Sequence, residues 1–210
     1  MIKKNLKELI ITSIVCLLPV IGGVVLWDRL PDQIPSHWNV AGEVDGWVSK
    51  PVAVFALPLI FIALSWLAIY KVLSDPKGNC RSPKMKLLTV WLIPVISLAS
   101  MSAIYVYALG NEVIIELIAP VICGAFMIAI GNYLPKCKQN RTVGIKLPWT
   151  LANEENWNRT HRLAGFVFVI GGVLVALFAL LGISVLVIVT LLAILLIPSI
   201  YSYILHRRGM

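Results

Sequence analysis

Residues 163–205 read LAGFVFVI GGVLVALFAL LGISVLVIVT LLAILLIPSI YSYIL, 43 positions without one fully charged side chain. As one helix this run would extend about 64 Å, roughly twice the thickness of a bilayer's hydrocarbon core. It must therefore turn back on itself. Gly182-Ile183-Ser184 supplies the turn, since glycine closes one helix and serine caps the next, which predicts helices over 163–181 and 184–205. Working outward, four more apolar runs are each one bilayer long: 9–27, 52–70, 87–109 and 113–134, the last holding a single acid, Glu116. Such a chain is too apolar for a soluble domain: 59% of its residues are hydrophobic, only 13% are charged, and mean hydropathy is +0.89. The fold class expected is all-α and integral to the membrane, a bundle of six transmembrane helices forming one domain over residues 1–210.

The net charge of +8 would suggest nucleic acid in a soluble protein, but here it reads as topology. The amino terminus, the segments 71–86 and 135–162 and the carboxyl terminus together hold 16 Lys and Arg, against only Arg29 and Lys50 in the other connections. Basic residues are retained on the cytoplasmic side, so both termini are expected there, and no direct contact with nucleic acid is implied. The first run, behind Lys3, Lys4 and Lys7, is longer than the apolar region of a signal peptide and ends on Trp27 without a small-x-small cleavage site, so it reads as a helix. Cys16, Cys80, Cys123 and Cys137 avoid the outer loop, and no disulfide is expected.

Pro19, Pro58, Pro94, Pro120 and Pro198, with Gly171-Gly172, give every helix a place to bend, and Ala99/Ala103 and Ala125/Ala129 are spaced for close packing. Ionisable groups at midplane depth, which a transporter would need, are nearly absent. Glu116, one turn from Glu112, reads as an interface carboxylate.

Two loops are long enough to carry function. The outer loop, 28–51, holds Pro31 and Pro35, Gly42 and Gly46, and three tryptophans counting Trp27, with Trp38 and Trp47. It predicts a compact cap with positive-φ glycine turns and a polar cluster of His37, Asn39, Glu43 and Asp45. A metal site would need further ligands, but His161 and His206 fall on the other side; Ser36 beside His37 is a poor hydrolase pair. The candidate ligand-recognition residues are Pro35, His37, Asn39, Gly42, Asp45 and Trp47.

The inner loop, 135–162, predicts a new helix capped by Thr150 or Asn153. Glu154 and Glu155 would open it and Arg159, His161 and Arg162 would close its polar part before it runs into the fifth span. Asn153, Trp157 and His161 would share one face, presented to a partner or to headgroups. Lys136, Lys138, Arg141 and Lys146 form a patch suited to an anionic surface. Cys137 with His161 and an asparagine invites a cysteine-hydrolase reading that spacing alone does not support.

Together, Pro35-x-His37-Trp38-Asn39-x-x-Gly42-x-x-Asp45 and Gly131-Asn132-Tyr133-Leu134-Pro135, Asn140, Gly144-Ile145-Lys146-Leu147-Pro148-Trp149-Thr150-Leu151, Trp157 and Thr160-His161-Arg162 resemble the SdpI family of bacterial membrane proteins. The likeness covers nearly the whole chain. It implies a multi-pass protein of the cell membrane, not an enzyme, that gives immunity to a secreted toxin peptide met on the outer side. On sensing that peptide it would hold a small cytoplasmic repressor at the inner side. Asn140, Gly144, Lys146, Pro148, Trp149, Thr150, Trp157, Thr160, His161 and Arg162 are the inner signalling candidates. No catalytic, metal or cofactor residue is assigned. The chain departs from the family pattern at Lys146-Leu147, where Arg-Thr is expected, keeping the charge but losing the guanidinium fork. A small transporter, or an intramembrane hydrolase acting on toxin or lipid, is the alternative.

Overall fold

The computed structural model describes residues 6–39, 41–74 and 83–210. Lys3, Lys4, Lys77, Cys80 and Arg81, used above, lie outside them. In chain order the elements are α1 (Leu6–Val25), β1 (Gln33–Trp38), β2 (Val44–Ser49), α2 (Leu57–Leu73), α3 (Pro83–Ala108), α4 (Ile115–Tyr133), α5 (Pro148–Ala152), α6 (Glu154–Leu180) and α7 (Ser184–Arg207). Among the described residues six helices are long and apolar enough to cross a membrane, the number expected. The all-α expectation needs a correction, since residues 33–49 form an antiparallel β-hairpin. The boundaries also move: the fifth span starts at Glu154 rather than 163, and a π-helical turn, Val52–Ala56, precedes α2.

The chain forms two compact units. One lies within Met1–Tyr70 and Thr89–Ile115, the other within Lys71–Leu88 and Glu116–Met210. The first packs the hairpin on helix ends: Leu30 and Ile34 share a core with Ala53, Val54, Met101, Ile104 and Tyr105. Gly23 of α1 allows the close approach, because a Cβ there would lie 2.7 Å from both the Tyr105 hydroxyl and a Val54 methyl. That hydroxyl is buried without a hydrogen-bond partner among the described residues. Tyr105→Phe should therefore stabilise the protein by about 1 kcal/mol, since it removes an unsatisfied polar atom. Gly23→Ala should cost about 1–3 kcal/mol by overpacking. Thermal unfolding of the two variants in detergent checks both signs.

In the second unit α4 and α6 approach through two glycine pairs. A Cβ on Gly124 would sit 2.5 Å from the Gly172 carbonyl oxygen, and one on Gly131 would sit 2.9 Å from that of Gly165. Both pairs are spaced seven residues apart, two helical turns, so each helix turns one smooth face to the other. Gly171 instead admits the Ile194 side chain of α7. The Gly171-Gly172 pair thus serves packing rather than a kink, and α6 runs unbroken from 154 to 180. Gly182, with φ +69°, closes the α6–α7 turn as expected.

Candidate functional site

The hairpin gathers the polar cluster expected of the outer loop. Asn39 organises its tip: the side-chain oxygen accepts from the backbone N–H of Ala41 and Glu43, at 2.9 and 3.0 Å, while its amide donates to the Glu43 carboxylate. Gly42 supplies the positive φ the turn needs, 79°. Irregular register around His37 brings its Nδ1 to 2.5 Å from Asp45 Oδ1, with both side chains exposed. Gly46, expected in a positive-φ turn, lies instead in β2 opposite His37, where a Cβ would fall 2.8 Å from the His37 Cβ. Pro35 is buried opposite Trp47, which is 54% exposed. Trp38 packs edge-on against Tyr107, and the Lys50 ammonium donates to the Trp27 carbonyl while lying over its ring. The strand pair thus carries His37, Asp45 and Trp47 as exposed side chains, a mixed polar and aromatic surface. Glu116 is exposed in the first turn of α4, where the helix dipole favours a carboxylate.

The second arrangement is built around Trp157 and His161 of α6. Asn153 caps the helix by accepting from the Asn156 N–H, and Glu154 and Glu155 occupy the first turn. The expected polar turn is therefore present, preceded by the separate short helix α5. The expected exposed face is corrected, however. Trp157 is 0% and His161 1% exposed, because residues 137–147 fold back over them and return their polar atoms to backbone groups. Trp157 Nε1 donates to the Cys137 carbonyl at 2.7 Å, and His161 Nε2 accepts the Ile145 N–H at 3.0 Å. With Nδ1 facing the Trp157 carbonyl at 2.8 Å, the geometry assigns the neutral Nδ1–H tautomer. Both ring nitrogens are occupied, so His161 has no lone pair left to activate Cys137.

The loop itself is tied off residue by residue. Asn140, buried, donates to the Lys138 carbonyl and the Cys137 sulfur, and accepts from the Thr142 and Val143 N–H groups. Gly144 crosses His161 with φ +119°, its α-carbon too close to Nε2 for any side chain. Thr150 accepts from the Leu147 N–H and lies within reach of the Ile145 and Leu147 carbonyls, while Pro148 starts α5. Gln139 donates to the Thr150 and Leu151 carbonyls, closing the end of that helix.

A second layer joins the start of α6 to α7. Asn156 uses all its capacity: its amide donates to the Ser202 and Met210 carbonyls, and its oxygen accepts from Thr160 and Ser202. Trp149 Nε1 donates to the Ser202 hydroxyl, and the indole stacks on His206 at 5.4 Å. Asn156, Ser202 and Gln139 escaped the sequence reading. Ser202 carried a signal, a hydroxyl inside an apolar span, and Asn156 sits one turn before Thr160. Of the inner candidates, the structure brings Asn140, Gly144, Trp149, Thr150, Trp157, Thr160 and His161 together, and leaves Lys146, Pro148 and Arg162 exposed. Beside the loop lies an open, mainly apolar cavity of about 370 Å³ between Ile130, Leu134, Ile145, Phe168, Leu195 and Ser199.

These two arrangements coincide with the matched parts of the chain. Residues 136–202 match the model of the SdpI/YfhL protein family, and residues 14–62 match a domain of unknown function, DUF1648. Over 206 residues, 97% of this chain and 98% of the relative, the sequence is 28% identical to the immunity protein SdpI of Bacillus subtilis (strain 168). No solved structure matches significantly. With its six apolar helices, the chain is a multi-pass protein of the cell membrane.

Proposed function

We propose, on the premise that this chain resembles the SdpI family along nearly its whole length, that it is an immunity protein protecting its cell from a secreted killing peptide. The observation that carries the reading is that the likeness to an immunity protein spans both the hairpin and the Trp157–His161 assembly. Both termini are cytoplasmic, supported by 16 basic residues on their side against 2 on the other. The hairpin then faces outward, and His37, Asp45 and Trp47 meet the peptide. The assembly over α6 faces the cytoplasm, where the exposed Pro148 and Arg162 hold a small repressor once peptide is sensed. No catalytic step is required.

Survival of a toxin-sensitive bacterial strain exposed to purified killing peptide tests this reading. Cells expressing the chain should survive, and Asp45→Ala should lower protection at an unchanged membrane level. Arg162→Glu should leave protection intact while a fluorescent repressor stays in the cytoplasm. Absence of protection by the unaltered chain at normal membrane level would sink the immunity reading.

A further inference from the structure

The apolar cavity beside the 143–145 loop plays no part in the function proposed above, and its surroundings define what would fill it. Its walls come from α4, α6, α7 and the loop, with Ser199 the lone hydroxyl in its lining. On the α7 side Leu195 is 61% exposed, so the cavity opens onto a helix surface that the bilayer must cover. In sequence, Lys136 follows the lining residue Leu134 by two positions and Lys146 follows the lining residue Ile145 directly. Both lysines are exposed: the Lys146 ammonium reaches only the Thr142 carbonyl at 3.1 Å, and that of Lys136 lies over the Tyr133 ring. Among the described residues neither has a carboxylate partner. The sequence contains no Asp or Glu at all between Glu116 and Glu154.

We propose that this cavity holds one acyl chain of an anionic phospholipid whose phosphate meets Lys136 and Lys146. An apolar slot explains retention of a lipid tail, and two exposed lysines without a carboxylate partner among the described residues, next in sequence to its lining, explain a preference for negative headgroups. Free phosphate lacks the tail and would not be retained. One wall of the slot is the segment Val143-Gly144-Ile145, whose Ile145 N–H is bonded to His161, so an occupant presses on the loop that encloses that side chain.

Native mass spectrometry of the full chain, purified in detergent and re-equilibrated with equal phosphatidylglycerol and phosphatidylcholine, tests the proposal. The unaltered protein should retain one phosphatidylglycerol, favoured about thirtyfold, the effect of two lysines at an anionic surface. Lys136→Gln with Lys146→Gln should bring the two lipids near parity. Ser199→Phe, which fills the slot, should abolish retention of both. The double lysine variant changes only exposed side chains, so the headgroup test stands even if Ser199→Phe fails to fold. Equal retention of the two lipids by the unaltered protein, or undiminished phosphatidylglycerol on the lysine variant, would overturn the proposal.

Discussion

Replacing Gly144 by alanine should unfold the loop over α6 and lower stability by about 2–5 kcal/mol, the sum of a left-handed backbone for a residue with a side chain and a collision in a closed site. The collision is specific: the new methyl carbon would lie 2.4 Å from His161 Nε2 and 3.0 Å from the Trp157 indole. Moving His161 aside breaks its bond to the Ile145 N–H, leaving that N–H and the buried Nε2 unpaired. Gly182→Ala is the control. That residue also has positive φ, +69°, but nothing lies within 4 Å of its Cβ position, so only backbone strain of about 1–2 kcal/mol is expected. Thermal unfolding of the two variants in one detergent should give Gly144→Ala the larger fall; equal falls would mean that the His161 contact contributes nothing.

Trp157→Ala should be of similar severity, about 3–5 kcal/mol, because it removes the largest buried side chain of the cluster it forms with Leu134, Cys137 and Ala164. It also leaves the Cys137 carbonyl without its indole donor and removes the ring on which His161 stacks at 3.9 Å. Trp157→Phe should recover most of that loss, since it restores the stacked ring and forfeits one hydrogen bond worth about 1 kcal/mol. Arg162→Ala, exposed on the same helix, should stay within about 0.5 kcal/mol. Protein abundance in membranes, measured by blot beside an unfolding curve, separates the three. A Trp157→Ala protein as abundant and stable as the unaltered chain would show that the indole is a surface contact after all.

The contrast between Trp157 and Arg162 also shows what the sequence could tell. The long uncharged runs reveal the spans because lipid tolerates nothing else at that depth, and Asn153 with Glu154 and Glu155 marks the true start of α6 by local capping chemistry. The hairpin was legible as a compact polar cap, His37 with Asp45 included. Its strands were not, because Pro35 and Gly46 weaken any alternating pattern and the pairing is set by burial of Ile34 on distant helices. Likewise the shared face of Trp157 and His161 was readable from spacing, whereas the cover over it was not. That cover depends on Gly144 and Asn140 bending a loop of separate sequence onto the helix, a contact no helical period encodes.

The unbroken course of α6 carries one last consequence. Asn156, Thr160 and His161 at one end and Gly171 and Gly172 at the other belong to a single helix with no proline or bulge between them. Their angular phase is therefore fixed, and one residue inserted between 162 and 170 would rotate one set against the other by about 100°. Either the glycine seam with α4 or the bonds of Asn156 to α7 would then be lost. An insertion at the Gly182 turn, by contrast, leaves that phase untouched. Tolerance of length change in this unit should thus be all at the turn and none along the rod.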